Sequence, residues 1–149
     1  MNANNPFQNE FRFVIFTSPA KYDETIAFYR DVMQFPITGG FGESAADMRG
    51  TYVQAAAAVF EIISDPQGSP FQRRVLTEGQ TFQPAQGGYF LIEVENVDAM
   101  YRRLLDGGAS IDETIADWPW GFRDFMIKDP CGNTLCLFSR RATGSVDQA

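Results

Sequence analysis

The sequence predicts an α+β protein in which one strand–helix–three-strand unit occurs twice, and three observations carry that prediction. Two segments of helical periodicity match, Ala27–Met33 against Ala99–Leu105, 72 positions apart. The strands that close the two units align at a similar spacing, Glu61 against Cys136, 75 positions apart. The stretch Trp118–Phe138 reads as a strand, a turn and a strand, because Asp129-Pro130-Cys131-Gly132-Asn133 joins a Pro that presets φ to Gly and Asn that accept left-handed geometry. A repeat of this length is most economically an internal duplication.

The elements follow in order. Residues 1–10 form a polar arm, expected to be flexible, and 11–64 the first unit. Phe11–Phe16 is an apolar run of strand length ended by Thr17-Ser18-Pro19. Tyr22–Met33 places Ile26, Tyr29, Val32 and Met33 at helical spacing, with Asp23 and Glu24 suited to the first turn. Pro36 and Gly39-Gly40 end it. Ile37–Phe41, Asp47–Gln54 and Ala57–Ile63 each read as strands, of which Val59–Ile63 is the clearest; the alanines at 55–58 are too short a run for a helix. Residues 65–87 are rich in Pro, Gln, Gly and Ser and read as a linker, longer than most loops. The second unit, 88–138, opens with a strand at Gly88–Val94 and a helix at Val97–Leu105 stopped by Gly107-Gly108, and ends in strands at Phe122–Lys128 and Thr134–Phe138. A flexible tail, 139–149, is expected to follow.

Composition excludes several function classes. With 149 residues the chain is long enough for one domain with its own core. A net charge of −7 offers no basic footprint for nucleic acid or an anionic membrane, and favours cationic partners. No signal peptide or membrane-length apolar run is evident, so a cytoplasmic protein is expected. Cys131 and Cys136 lack metal-site spacing and read as free thiols. Histidine is absent altogether. That removes imidazole as general base and as metal ligand, and with it Ser-His-Asp or Cys-His catalysis and a two-His-one-carboxylate iron site.

The hairpin's motifs, Pro119-Trp120-Gly121, an Arg, an acidic residue and Phe, then Asp129-Pro130-x-Gly132-Asn133, resemble the closing hairpin of the glyoxalase/bleomycin-resistance/extradiol-dioxygenase superfamily, the vicinal oxygen chelate proteins. The bleomycin-resistance branch is the most similar, and the resemblance spans about residues 11–138. It implies two βαβββ modules forming a curved mixed sheet around a cavity, helices outside, and a homodimer with clefts between subunits. In metal-using members four inward strand positions hold the ion. By motif these fall on Arg12, Glu61, Tyr89 and Cys136, of which only Glu61 is a good ligand for a hard cation. No metal and no cofactor are therefore expected.

Strand alternation assigns the faces. Phe13, Ile15, Phe60, Ile62, Phe90, Ile92, Leu135 and Leu137 pack toward the helices, leaving Arg12, Glu61, Tyr89 and Cys136 on the cup side. Arg12 and Glu61 are expected to form an ion pair where the metal would sit; the alternative is that Glu61 lies on a solvated sheet face. Cys136 is either a thiolate nucleophile or, without a His beside it, an inert buried thiol. Trp118, Trp120 and Phe122, with Tyr52, Phe41 and Phe125, line the rim or pack the core; flat side chains at a pocket mouth stack on planar ligands and attract cations. The expected function is metal-independent binding of an aromatic or cationic small molecule such as an antibiotic. The alternative is a metal-dependent glyoxalase- or dioxygenase-like lyase or isomerase with an atypical site.

Overall fold

The computed structural model describes residues 12–66 and 88–141. The N-terminal arm, nearly all of the 65–87 linker and the tail from 142 onward lie outside the described residues. The first unit comprises β1 (Arg12–Thr17), α1 (Tyr22–Ala27) continued by a π-helical turn (Phe28–Val32), β2 (Ile37–Phe41), β3 (Arg49–Ala55) and β4 (Ala58–Ser64). The second comprises β5 (Phe90–Glu93), α2 (Val97–Asp106), β6 (Ile111–Asp117), β7 (Phe122–Lys128) and β8 (Thr134–Arg140). The strands form two four-stranded sheets, β1-β4-β3-β2 and β5-β8-β7-β6. In each the first and last strands of the unit pair in parallel and the remaining neighbours antiparallel. The architecture is thus α+β, two βαβββ modules.

The expected faces meet in one core. Ile15, Val53, Phe60 and Ile62 of the first sheet bury against Tyr22, Ile26, Tyr29 and Met33; Ile92, Phe125, Ile127, Leu135 and Leu137 of the second bury against Val97 and Leu104. The modules join where Phe90 packs edge-on to Phe13, ring centroids 4.6 Å apart, and against Phe60 at 4.8 Å. A polar tie runs beside them: the Asp129 carboxylate accepts from Tyr29 Oη (2.7 Å), Asn133 Nδ2 (2.9 Å) and the amides of Cys131 (2.9 Å) and Asn133 (2.8 Å). The Asp-Pro-x-Gly-Asn motif therefore does more than turn the chain, because its first residue holds the two modules together.

Three readings change. The helices correspond at 75 positions, like the strands, and not at 72: α1 and α2 start at Tyr22 and Val97, and the next residues, Asp23 and Asp98, pair with Arg49 and Arg123 at matching sheet positions. A three-residue shift is nearly one helical turn, so the apolar pattern tolerates either alignment. The strand β6, not assigned from sequence, lies at a sheet edge with two register shifts, which break the alternation that would reveal it. Finally, β8 continues to Arg140, and Arg141 donates its amide to Gly121 O (2.8 Å) and its guanidinium to Trp118 O (2.9 Å), so residues 139–141 belong to the second module.

Candidate functional site

Each sheet has a face turned away from its helix, and Arg12, Tyr52, Glu61, Phe122 and Cys136 lie on these faces. On the first sheet Tyr52 sits directly across from Glu61, and Val14 flanks Glu61 on the other side. Arg12, one pleat removed on β1, reaches Glu61 with Nη1 3.7 Å from Oε2 and lays its guanidinium over the Tyr52 ring, 4.6 Å from the centroid. Phe41 adjoins Tyr52 at 6.2 Å. Its ring occupies the space a side chain at Gly50 would need, 2.4 Å from an ideal Cβ, so glycine at 50 is what lets Phe41 lie flat on the sheet.

The second sheet presents a different surface. Leu91, Cys136 and Met126 form one row across β5, β8 and β7. Tyr89 precedes the first of these strands and is 54% exposed. Cys136 is 1% exposed; burial first, then the neighbouring Asp124, push its thiol pKa up to about 12, so it stays protonated. It is an inert thiol, not a nucleophile. Along the same face Phe122 stacks on Phe138 at 4.2 Å and 25°, with the Arg140 guanidinium 5.3 Å and 5.6 Å from the two rings. Phe125 is instead fully buried on the helix side against Tyr101.

Trp118 and Trp120 stack on each other, centroids 5.0 Å apart and planes within 9°. Their loop is a tight turn: Gly121 N donates to Trp118 O (3.1 Å), with Pro119 second and Gly121, at φ +93°, fourth, the pattern that type I turns favour. Trp118 N also donates to Phe122 O (2.8 Å), and Trp118 Nε1 to Asp124 Oδ1 (2.8 Å). Trp120 is the outer ring, 50% exposed.

The four positions that the resemblance assigns to a metal do not suit one. Arg12 and Glu61 lie on the first sheet, Cys136 on the second, and Tyr89 just before β5. Arg12 has no lone pair to give and already engages Glu61, while Cys136 is a protonated thiol. No group of three or more Cys, Asp or Glu suited to a metal ion occurs among the described residues. Alternation also puts Leu91 and Phe138 on the open face, as the structure does; Asp124 and Arg140 are the residues of this face that the sequence analysis lacks. Alternation starting from Phe122 reaches Asp124, whereas Arg140 lies beyond the strand end expected at Phe138.

Comparison with known proteins agrees with this architecture. The family model for the Glyoxalase/Bleomycin resistance protein/Dioxygenase superfamily matches residues 16–137, and the chain belongs to that superfamily. No curated protein matches the sequence significantly. Solved structures share the fold at low identity. TioX from Micromonospora sp. ML1 is 18% identical with a TM-score of 0.66, covering 87% of this chain and 98% of its own. TnmS3, an antibiotic binding protein from Streptomyces sp. CB03234, is 19% identical at 0.63, covering 92% and 99%. Lactoylglutathione lyase from Agrobacterium tumefaciens is 18% identical at 0.62, covering 95% and 97%.

Proposed function

We propose that this chain is a small-molecule-binding member of its superfamily, which captures a flat or cationic, antibiotic-like ligand without metal chemistry. One observation carries the reading: the second sheet's open face is built of aromatic plates, the Trp118–Trp120 and Phe122–Phe138 stacks, while the four positions that hold the ion in metal-using relatives are Arg12, Glu61, Tyr89 and Cys136. Such plates bind planar rings and cations through their π faces. The first sheet adds Tyr52 and the Arg12–Glu61 pair, and the chain's net charge of −7 steers cations toward it. The likeness to TnmS3 supports an antibiotic as one ligand class.

The proposed assembly is a cytoplasmic homodimer. Tyr89, Leu91 and Trp120 are about half exposed on or beside one face, and a second copy laid across it would enclose the ligand.

Thermal-shift screening against basic glycopeptides, flat antibiotics and thiol adducts tests the reading, with tryptophan fluorescence as a second readout. At least one flat or cationic compound is expected to raise Tm, and the shift should vanish in the Trp118→Ala/Trp120→Ala double variant. A Zn, Ni, Mn or Fe ion that copurifies at one per chain, with turnover lost on chelation, would replace this reading with the lyase or isomerase alternative.

A further inference from the structure

Among the described residues, the second sheet's open face carries one buried acid that forms no ion pair, Asp124, 5% exposed. Its carboxylate accepts from the Trp118 indole N–H at 2.8 Å and neighbours the buried Cys136 thiol. A carboxylate in such surroundings costs more to bury than an apolar side chain would. What it provides is a fixed indole. Trp118 is held twice, by the backbone of its turn and by this bond, and Trp120 rests on it ring to ring.

We infer that Asp124 is a positioning residue, which through Trp118 sets the two indoles as a rigid two-layer platform, and that a flat ligand stacks on the free face of Trp120 and not between the rings. The spacing excludes insertion. The indole centroids lie 5.0 Å apart with planes 9° from parallel. A third ring between them would need about 7 Å, two contact distances of about 3.5 Å. Opening the pair would require Trp118 to leave Asp124, or the Trp120 ring to turn about its side-chain torsions and give up the stacking contact. The exposed face of Trp120 is therefore the binding surface, ready before the ligand arrives, so that little ordering cost falls on binding.

The inference rests on the binding function proposed above for the same site, and the experiment separates the two. Near-UV circular dichroism and acrylamide quenching are measured on the ligand-free protein, then binding of proflavine, a flat aromatic cation, by fluorescence anisotropy. Asp124→Asn keeps an oxygen acceptor for the indole and removes the charge; it is expected to retain the tryptophan dichroism and to bind proflavine within about threefold of wild type, whereas Asp124→Ala loses most of that dichroism, quenches more readily and binds about tenfold more weakly. Trp118→Phe keeps a ring and deletes the donor. It should expose Trp120 to acrylamide as Asp124→Ala does, and it carries the test if the alanine variant fails to fold.

Unchanged dichroism and quenching in Asp124→Ala would overturn the positioning role, as would an asparagine variant that loses proflavine as completely as the alanine one, since the charge and not the bond would then matter. Proflavine binding that survives Trp120→Ala would overturn the stacking surface. A wild-type protein that binds neither proflavine nor any compound of the thermal-shift screen overturns the ligand half together with the proposed function, while the ligand-free measurements decide the role of Asp124 alone.

Discussion

The two modules share a skeleton and diverge on their open faces, and the matching positions show how. The pair Tyr52–Glu61 on β3 and β4 corresponds to Met126–Cys136 on β7 and β8, and Gly50–Ile63 corresponds to Asp124–Phe138. In the first module the position that Asp124 holds in the second is a glycine, roofed by Phe41 from the neighbouring strand. In the second it is a carboxylate that reaches out to anchor an indole. The first face is thus charged and aromatic, ordered by Arg12 and Glu61; the second is apolar and aromatic, ordered by one buried acid. On the helix side the modules stay alike: Arg49 and Arg123 each pair with the second residue of their helix. Packing against a helix constrains both modules equally, whereas the open faces were free to specialise.

The hairpin turns differ most, and so does the expected cost of breaking them. The β3–β4 turn is two alanines between Ala55 and Ala58, with Ala56 at φ 53° and the Gln54 amide donating to Ala56 O at 2.7 Å. The β7–β8 turn spends five residues and reaches across to the other module through Asp129. Replacing Asp129 by Ala leaves two amides, the Asn133 side chain and the buried Tyr29 hydroxyl short of an acceptor, so a loss of about 3–5 kcal/mol is expected in chemical denaturation. Tyr29→Phe removes one of the four bonds and should cost about 1–2 kcal/mol. A loss below 1 kcal/mol for Asp129→Ala would mean that the apolar contact of Phe90 with Phe13 and Phe60 joins the modules unaided.

A pH dependence follows from Cys136, which stands where the first module has Glu61. Its folded-state pKa of about 12 lies above the ordinary value of 9.0, so the folded protein keeps a proton that the unfolded chain releases. The stability from the protonated thiol is complete below about pH 9 and is lost as pH rises toward about 12, at no more than about 1.4 kcal/mol per pH unit. Tyr29 acts with the same sign, its pKa raised well above 10.0 by burial and then by Asp129. Cys136→Ser keeps a small polar side chain beside Asp124 and does not titrate in this range. Urea midpoints between pH 8 and 11 should therefore decline less steeply in that variant than in wild type, and equal slopes would show that the thiol ionises as freely folded as unfolded.

Most of the skeleton is legible in the sequence because it depends on local patterns: β-branched runs, helical spacing and a Pro-Gly-Asn turn. The pairing of Arg12 with Glu61 on one face follows from alternation together with the strand neighbours that the family resemblance implies. What sequence did not give depends on contacts between distant residues. Asp129 reads as a turn former until Tyr29, 100 residues away, is seen to donate to it. Asp124 reads as one acid in a motif until Trp118 is placed over it. The edge strand β6 lacks alternation, since register shifts turn successive side chains to irregular directions.

The smallest predicted effect is the sharpest test of the correspondence, because it concerns one residue type at one matched position. Ser64 of β4 and Ser139 of β8 lie opposite Arg49 and Arg123. Ser139 Oγ accepts from Val97 N at 3.0 Å and donates to Val94 O at 2.7 Å, so it satisfies a free amide at the start of α2 and ties that helix to the sheet. Ser64 Oγ is more deeply buried than Ser139 and has no partner among the described residues, while the adjacent Ile63 O accepts from Thr17 Oγ1 at 3.1 Å. Ser139→Ala should cost about 1–2 kcal/mol, and Ser64→Ala between about zero and a slight gain, because a buried hydroxyl without a partner is itself destabilising. Equal losses at the two serines would mean that Ser64 does make a bond in solution and that the helix-side symmetry of the modules extends to their polar contacts.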